Sequence, residues 1–304
     1  MKRVHSSFIL HLSNTMSRSS QTTFALGVLV FGILCTSMVA ILVRWANAPA
    51  AVIGFWRMLF ASIALAAPFG MNVRRELPTS RPVLITFVAG LFFAINLVIW
   101  NTGALLTSAA NATLLGNMSV VIVPLGAMMV FRQKLHGAFW IGVALTIIGV
   151  VLILGQDLIA HPTVGLGDVL TLVSAFFYST YLLIMERARA ALSALAAWWL
   201  STFAGTICLF VASFLLSQSL TGYAWTTYLI FGAMAIFVQI GGYLSLSYAQ
   251  GHLPAPLVST TLFAQPVLAA LIAVPLLGQS LALEQILGGI IVLTGIFLAH
   301  RSQF

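Results

Sequence analysis

From Phe24 onward the chain reads as long apolar runs separated by short polar or charged breaks. The runs are continuous and do not alternate between apolar and polar positions. That excludes the dyad pattern of a closed β-barrel and predicts helices that are hydrophobic all round. A helix needs about 20 apolar residues to cross a bilayer. Breaks at charges, Pro and Gly clusters leave ten such runs: Phe24 to Val43, Ala50 to Gly70, Val83 to Leu106, Ser108 to Phe131, Gly137 to Gly155, Leu166 to Met185, Ala196 to Ser217, Trp225 to Tyr248, Ala255 to Leu277 and Leu281 to Ala299. The expected fold class is an all-α polytopic membrane protein with ten transmembrane helices, sequential neighbours running antiparallel.

Composition supports lipid as the main solvent. Of 304 residues 61% are hydrophobic and only 6% charged, whereas a soluble domain carries about 25% charged residues to clothe its core. The net charge of +8 would suggest nucleic acid if it formed one face, but the basic residues sit singly or in pairs between apolar runs, so no nucleic-acid partner is expected. They act instead as a topology signal. An even number of crossings puts eleven of them on one side: Lys2, Arg3, Arg18, Arg74, Arg75, Arg81, Arg132, Lys134, Arg187, Arg189 and Arg301. Arg44 falls on the other side and Arg57 within a run. The positive-inside rule then expects both termini in the cytoplasm and a multi-pass inner-membrane protein. Residues 1–23 lack an apolar run of their own and are expected to be a disordered cytoplasmic tail, with either Met1 or Met16 as the start. Cys35 and Cys208 lie within apolar runs and are expected to pack there without a disulfide or metal role.

The chain contains an internal repeat. Shifting it by 146 positions lays Ala109 on Ala255, Gln133 on Gln279, Leu135 on Leu281, Gly142 on Gly288 and Gly149 on Gly295. Each half holds five helices, and an odd number forces the halves into opposite orientations, the inverted plan of many secondary transporters. The paired glycines keep a seven-residue spacing, which places small residues on one helix face for close packing.

At these positions the sequence resembles the EamA-type transporters of the drug/metabolite transporter superfamily. The matching motifs in the first half are Phe55-Trp56-Arg57, the run Ala104 to Ala112 with Asn111, and Gly142 with Gly149. Those in the second are Pro254-Ala255-Pro256, Pro266, Leu277 to Leu281, and Gly288, Gly289 and Gly295. The resemblance implies a first repeat over 24–155 and a second over 166–300. Two departures stand out: glutamine replaces the usual glutamate at Gln133 and Gln279, and Val120 stands where the second half has Pro266, with Pro124 one helical turn later.

Ionisable groups in a bilayer are costly, so Arg57, in the outer third of the second helix, is the first candidate for substrate contact; its planar fork suits a carboxylate or phosphate. Polar side chains at helical spacing on otherwise apolar runs mark the expected cavity. They are Asn96, Trp100 and Asn101 on the third helix, Thr113 and Asn117 on the fourth, and Ser174, Tyr178 and Tyr181 on the sixth. The eighth contributes Gln239, Tyr243 and Ser247, and the ninth Ser259, Thr260 and Gln265. For any one of them, interhelical hydrogen bonding without substrate contact is the competing reading. The five acidic residues, Glu76, Asp157, Asp168, Glu186 and Glu284, fall at helix ends or loops, which leaves no mid-membrane carboxylate relay.

The expected function is a secondary transporter or permease, with no cofactor and no catalytic or metal residues. Its partners are a small-molecule substrate and the lipid bilayer, and the sequence leaves a homodimer open. The resemblance implies export of a small polar metabolite such as an amino acid, by alternating access between the halves. An intramembrane enzyme acting on lipid would need clustered carboxylates, histidines or cysteines, which are scattered here. A scaffold or receptor would not require polar stripes on five helices.

Overall fold

The structure is a computed structural model and describes residues 18–73, 80–160, 165–277 and 282–302. Nine of its helices are long and apolar enough to cross a membrane: α1 (Ser20–Trp45), α3 (Ser80–Leu106), α4 (Asn111–Phe131), α5 (Gly137–Gly155), α6 (Leu166–Arg189), α7 (Ala194–Leu215), α8 (Trp225–Ala249), α9 (Ala255–Ile272) and α10 (Leu283–Arg301). The tenth, α2 (Ala50–Ala64), is shorter; it turns at Leu65 and continues as Ala66–Val73. Met129, Phe214 and Ile159 are 83%, 80% and 80% exposed, an outward apolar surface of the kind that lipid covers favourably.

The ends differ from the hydropathy reading by a turn or less in most cases. Helix α1 begins at Arg18, so the last part of the expected tail 1–23 is helical. A helix already nucleated by the apolar run extends cheaply through Ser19, Ser20 and Gln21, one hydrogen bond per residue fixed. The expectation for residues 1–17 lies outside the described residues, as do Arg74, Arg75, Glu76 and Gln279 of the loop readings.

Helices α5 and α10 pack backbone to backbone. A Cβ on Gly142 would come 2.6 Å from the Gly295 carbonyl oxygen, and one on Gly149 would come 2.6 Å from that of Gly288. The converse holds at the same 2.6 Å for Gly295 on Gly142 and Gly288 on Gly149. The repeat glycines therefore meet one another, where a missing side chain lets the helices touch.

Four crossing helices are irregular. Helix α1 breaks at Ser37 and Met38, α4 at Asn117 and Met118, and α9 at Phe263 and Ala264. The α4 and α9 breaks fall at the same repeat position, 146 residues apart. In α9, Pro266 has no N–H for the Leu262 carbonyl, and the chain tightens to three-residue bonds, Phe263 N–H to Thr260 O and Ala264 N–H to Thr261 O. In α4 the break forms without a proline at residue 120, over the weak helix formers Gly116 and Asn117. Glycine is required at 116, because a Cβ there would lie 2.5 Å from the Trp100 indole nitrogen. In α1 the hydroxyls of Thr36 and Ser37 both donate to the Ile33 carbonyl, at 3.0 and 2.7 Å, competing with the helical bond that carbonyl would accept. Helix α8 widens to a π-helix over Met234–Leu244, a form found mostly at functional sites.

Candidate functional site

The three breaks converge. Asn117 Nδ2, at the α4 break, donates to Gln265 Oε1 at 3.0 Å. Gln265 Nε2, just past the α9 break, donates to Thr36 Oγ1 at 2.7 Å, at the α1 break. A chain of side-chain hydrogen bonds thus links three interrupted helices drawn from both halves. Beside it lies a cavity of about 60 Å³, counted as space for the centres of water-sized molecules, lined by α1, α2, α3, α4, α6, α8 and α9. One water needs about 10–15 Å³ on that measure, so the space suits a small solute.

Eight of the fifteen candidates line this cavity: Arg57, Asn96, Trp100, Thr113, Asn117, Tyr178, Tyr243 and Gln265. The other seven do not, and each has a partner elsewhere. Asn101 Nδ2 donates to the Ala50 carbonyl at 2.9 Å, tying α3 to the start of α2. Ser174 donates to its own helix at Thr171 O, 2.6 Å, and Ser247 to Ala194 O at 3.1 Å. Gln239 lies against α7, its amide donating to Thr202 Oγ1 at 3.4 Å. Tyr181 is 2% exposed and stacks on Phe93 with ring centres 4.6 Å apart. Ser259 and Thr260 both donate to Pro256 O in their own helix. The stripe reading missed Thr36 and Ser37, which line the cavity; two adjacent hydroxyls in the middle of the first apolar run were the available signal.

Arg57 is fully buried. Its Cζ lies 5.9 Å from the centre of the Tyr243 ring, yet Nε, Nη1 and Nη2 have no hydrogen-bond partner among the described residues. A cation over a ring gains about 0.5–2 kcal/mol, whereas taking an ion out of water costs several. The cation–π contact alone does not offset that cost. Arg57 lines the cavity, and Tyr243 is the side chain that meets its guanidinium.

A cluster of aromatic rings adjoins the cavity through its lining residues Tyr178 and Tyr243. Phe93 lies 4.7 Å from Tyr243 between ring centres, and Tyr178 lies 6.0 and 6.4 Å from Tyr181 and Tyr243. Beyond this cluster, Arg189 donates to the Ser247 and Leu192 carbonyls, Gln250 to the Leu182 carbonyl, and Gln133 to Glu186. At the opposite end Arg44 donates to the carbonyls of Ala104 and Thr107, capping the C-terminus of α3. There Asp168 accepts from Thr107 Oγ1 at 2.5 Å and Asn111 Nδ2 at 3.0 Å, and from the Gly165 N–H at 2.8 Å. This carboxylate binds α6 to the α3–α4 hairpin.

The model of the EamA-like transporter family matches residues 23–155 and again 165–301. The chain belongs to the EamA-like transporter family. Its two matched segments each carry five of the helices described above, and the family is one of membrane transporters. Among curated relatives, a probable amino-acid metabolite efflux pump of Escherichia coli K12 is 28% identical over 297 residues, covering 93% of this chain and 95% of that one. An uncharacterized transporter, YdfC, of Bacillus subtilis 168 is 22% identical over 82% of this chain and 81% of its own length. An uncharacterized transporter of Clostridium kluyveri is 23% identical, and there the chain spans 65% of the relative's length. A solved structure with a TM-score of 0.74 and 18% identity covers 94% of this chain and 99% of that chain, a likeness of fold. Among the described residues no group of three His, Cys, Asp or Glu could hold a metal.

Proposed function

We propose that this EamA-family protein exports a small carboxylate-bearing metabolite of the amino-acid class across the inner membrane, by alternating exposure of the cavity between its inverted halves. The observation that carries the reading is Arg57, a fully buried arginine that lines the cavity and whose guanidinium nitrogens have no geometric hydrogen-bond partner among the described residues. A carboxylate supplies what it lacks, two acceptors in the plane of the fork. The interrupted helices α1, α4 and α9 are the elements that transporters of inverted-repeat plan use at their midplane sites. The aromatic cluster beside the cavity is the gate that opens when the halves rock the other way. The printed description of the Escherichia coli relative supports the amino-acid class. The excess of Lys and Arg on the side of the termini supports a cytoplasmic location for them.

The test separates binding from stability. Arg57→Lys keeps the charge and loses the planar fork; Arg57→Gln loses the charge. Affinity for amino acids and their carboxylate metabolites is measured per folded molecule, together with the melting temperature in detergent. The reading expects affinity to fall at least tenfold in both variants. Unchanged affinity in both, with a lowered melting temperature, would make Arg57 a structural anchor and refute its role in substrate binding.

A further inference from the structure

Among the described residues the cavity is lined by one cation and no anion. None of the described carboxylates lines it. Two of them are committed elsewhere: Asp168 to Thr107, Asn111 and Gly165, and Glu186 to Gln133. A zwitterionic amino acid brings an ammonium as well as a carboxylate. That ammonium would enter beside Arg57 with no carboxylate to meet it.

Neutral acceptors do not supply the missing charge. The amides of Asn96, Asn117 and Gln265 line the space, with Gln265 Oε1 accepting from Asn117, but an uncharged acceptor does not neutralise an ammonium brought in beside a guanidinium. Trp100 offers a donor, which is itself spent on the Ala112 carbonyl at 3.2 Å. The Tyr243 face is turned to Arg57. The lining therefore favours a ligand that brings one negative charge and no positive one, neutralising the guanidinium when it binds.

We infer that the transported species is a monoanion, a small carboxylate without a free ammonium group such as a 2-oxo or 2-hydroxy acid of an amino acid, and that each transport cycle moves one net negative charge. The inference rests on the transporter reading above and deepens it. It also names the energy source. One charge crossing the membrane is driven by the potential alone, and a membrane negative on the terminal side expels the anion. No coupling ion is required, in keeping with a cavity that no described carboxylate lines.

Purified protein in liposomes decides this with three matched pairs: alanine and pyruvate, leucine and 4-methyl-2-oxopentanoate, phenylalanine and phenylpyruvate. Potentials are set with a potassium gradient and valinomycin, and protein-free vesicles and the Arg57→Gln protein serve as controls. The expected result is transport of one or more 2-oxo acids in preference to the matched amino acid. Their steady-state concentration ratio should shift about 50-fold per 100 mV toward the positive compartment. Preference for the amino acids, or ratios unmoved by the potential, would overturn the monoanion inference and leave the transporter reading standing. Transport of none of the six, by protein whose melting curve shows it folded, would overturn both.

Discussion

Asn117 and Gln265 meet across the repeat, the one at the break of α4 and the other just beyond the matching break of α9, with the amide of the first donating to the amide oxygen of the second at 3.0 Å. Because Gln265 also holds Thr36, the pair fixes the relative position of three interrupted helices beside the cavity. An interhelical hydrogen bond in a membrane averages about 0.6 kcal/mol in double-mutant cycles, so its direct effect on stability is small. Its effect on geometry is larger, since the wall of the site is built from the ends it joins.

Asn117→Ala and Gln265→Ala should therefore each lower the melting temperature by only a few degrees. Substrate affinity should fall roughly tenfold in each. The double variant should be little worse than either single one, because both remove the same link. Additive losses of binding energy in the cycle would show that the two amides act separately.

Gln133 faces Glu186, its amide nitrogen 3.2 Å from Oε1. Introducing the carboxylate that the family resemblance leads one to expect there, Gln133→Glu, places two like charges in contact where α4 ends and α6 approaches the membrane surface. The expected loss is about 1–3 kcal/mol, because Glu186 loses a hydrogen-bond donor and gains a repelling neighbour. Exchanging both residues, Gln133→Glu with Glu186→Gln, should restore most of the melting temperature. No recovery in the exchanged protein would refute the pairing.

Gly149→Val tests the seam between α5 and α10. Its Cβ would enter within 2.6 Å of the Gly288 carbonyl, and a helix backbone cannot yield as a flexible side chain does. The expected cost is about 1–3 kcal/mol or more, read as a lowered melting temperature, with substrate affinity per folded molecule unchanged because neither helix lines the cavity. A loss of affinity in the folded fraction would mean that the seam reaches the site.

The ten crossings were legible because lipid demands long unbroken apolar runs, and charges can stand only at their ends. The repeat was legible for a related reason: Gly142, Gly149, Gly288 and Gly295 cannot be replaced without separating two backbones. The cavity was partly legible. Helical spacing tells which face a polar residue occupies, and Trp100, Asn117, Tyr178 and Tyr243 from those faces line the cavity. It does not tell how far along the helix the cavity reaches, which is why Ser174, bonded to its own helix, and Asn101, bonded to Ala50 O, stood in the same set. The breaks in α1 and α4 carry no proline at the decisive position, and they became visible only with the backbone in three dimensions.

The glycine seam has a further consequence. Gly142 approaches Gly295 as Gly295 approaches Gly142, and Gly149 and Gly288 do likewise, so the contact is isologous: one surface pattern, met by its own counterpart turned upside down. A single five-helix half thus holds both sides of the recognition, and needs only a second copy inserted in the opposite sense. Covalent linkage into one chain leaves that surface unchanged and fixes the two orientations in one-to-one proportion. It also frees each half to diverge everywhere except along the seam, and the divergence lies where Arg57, present on one side alone, meets the cavity.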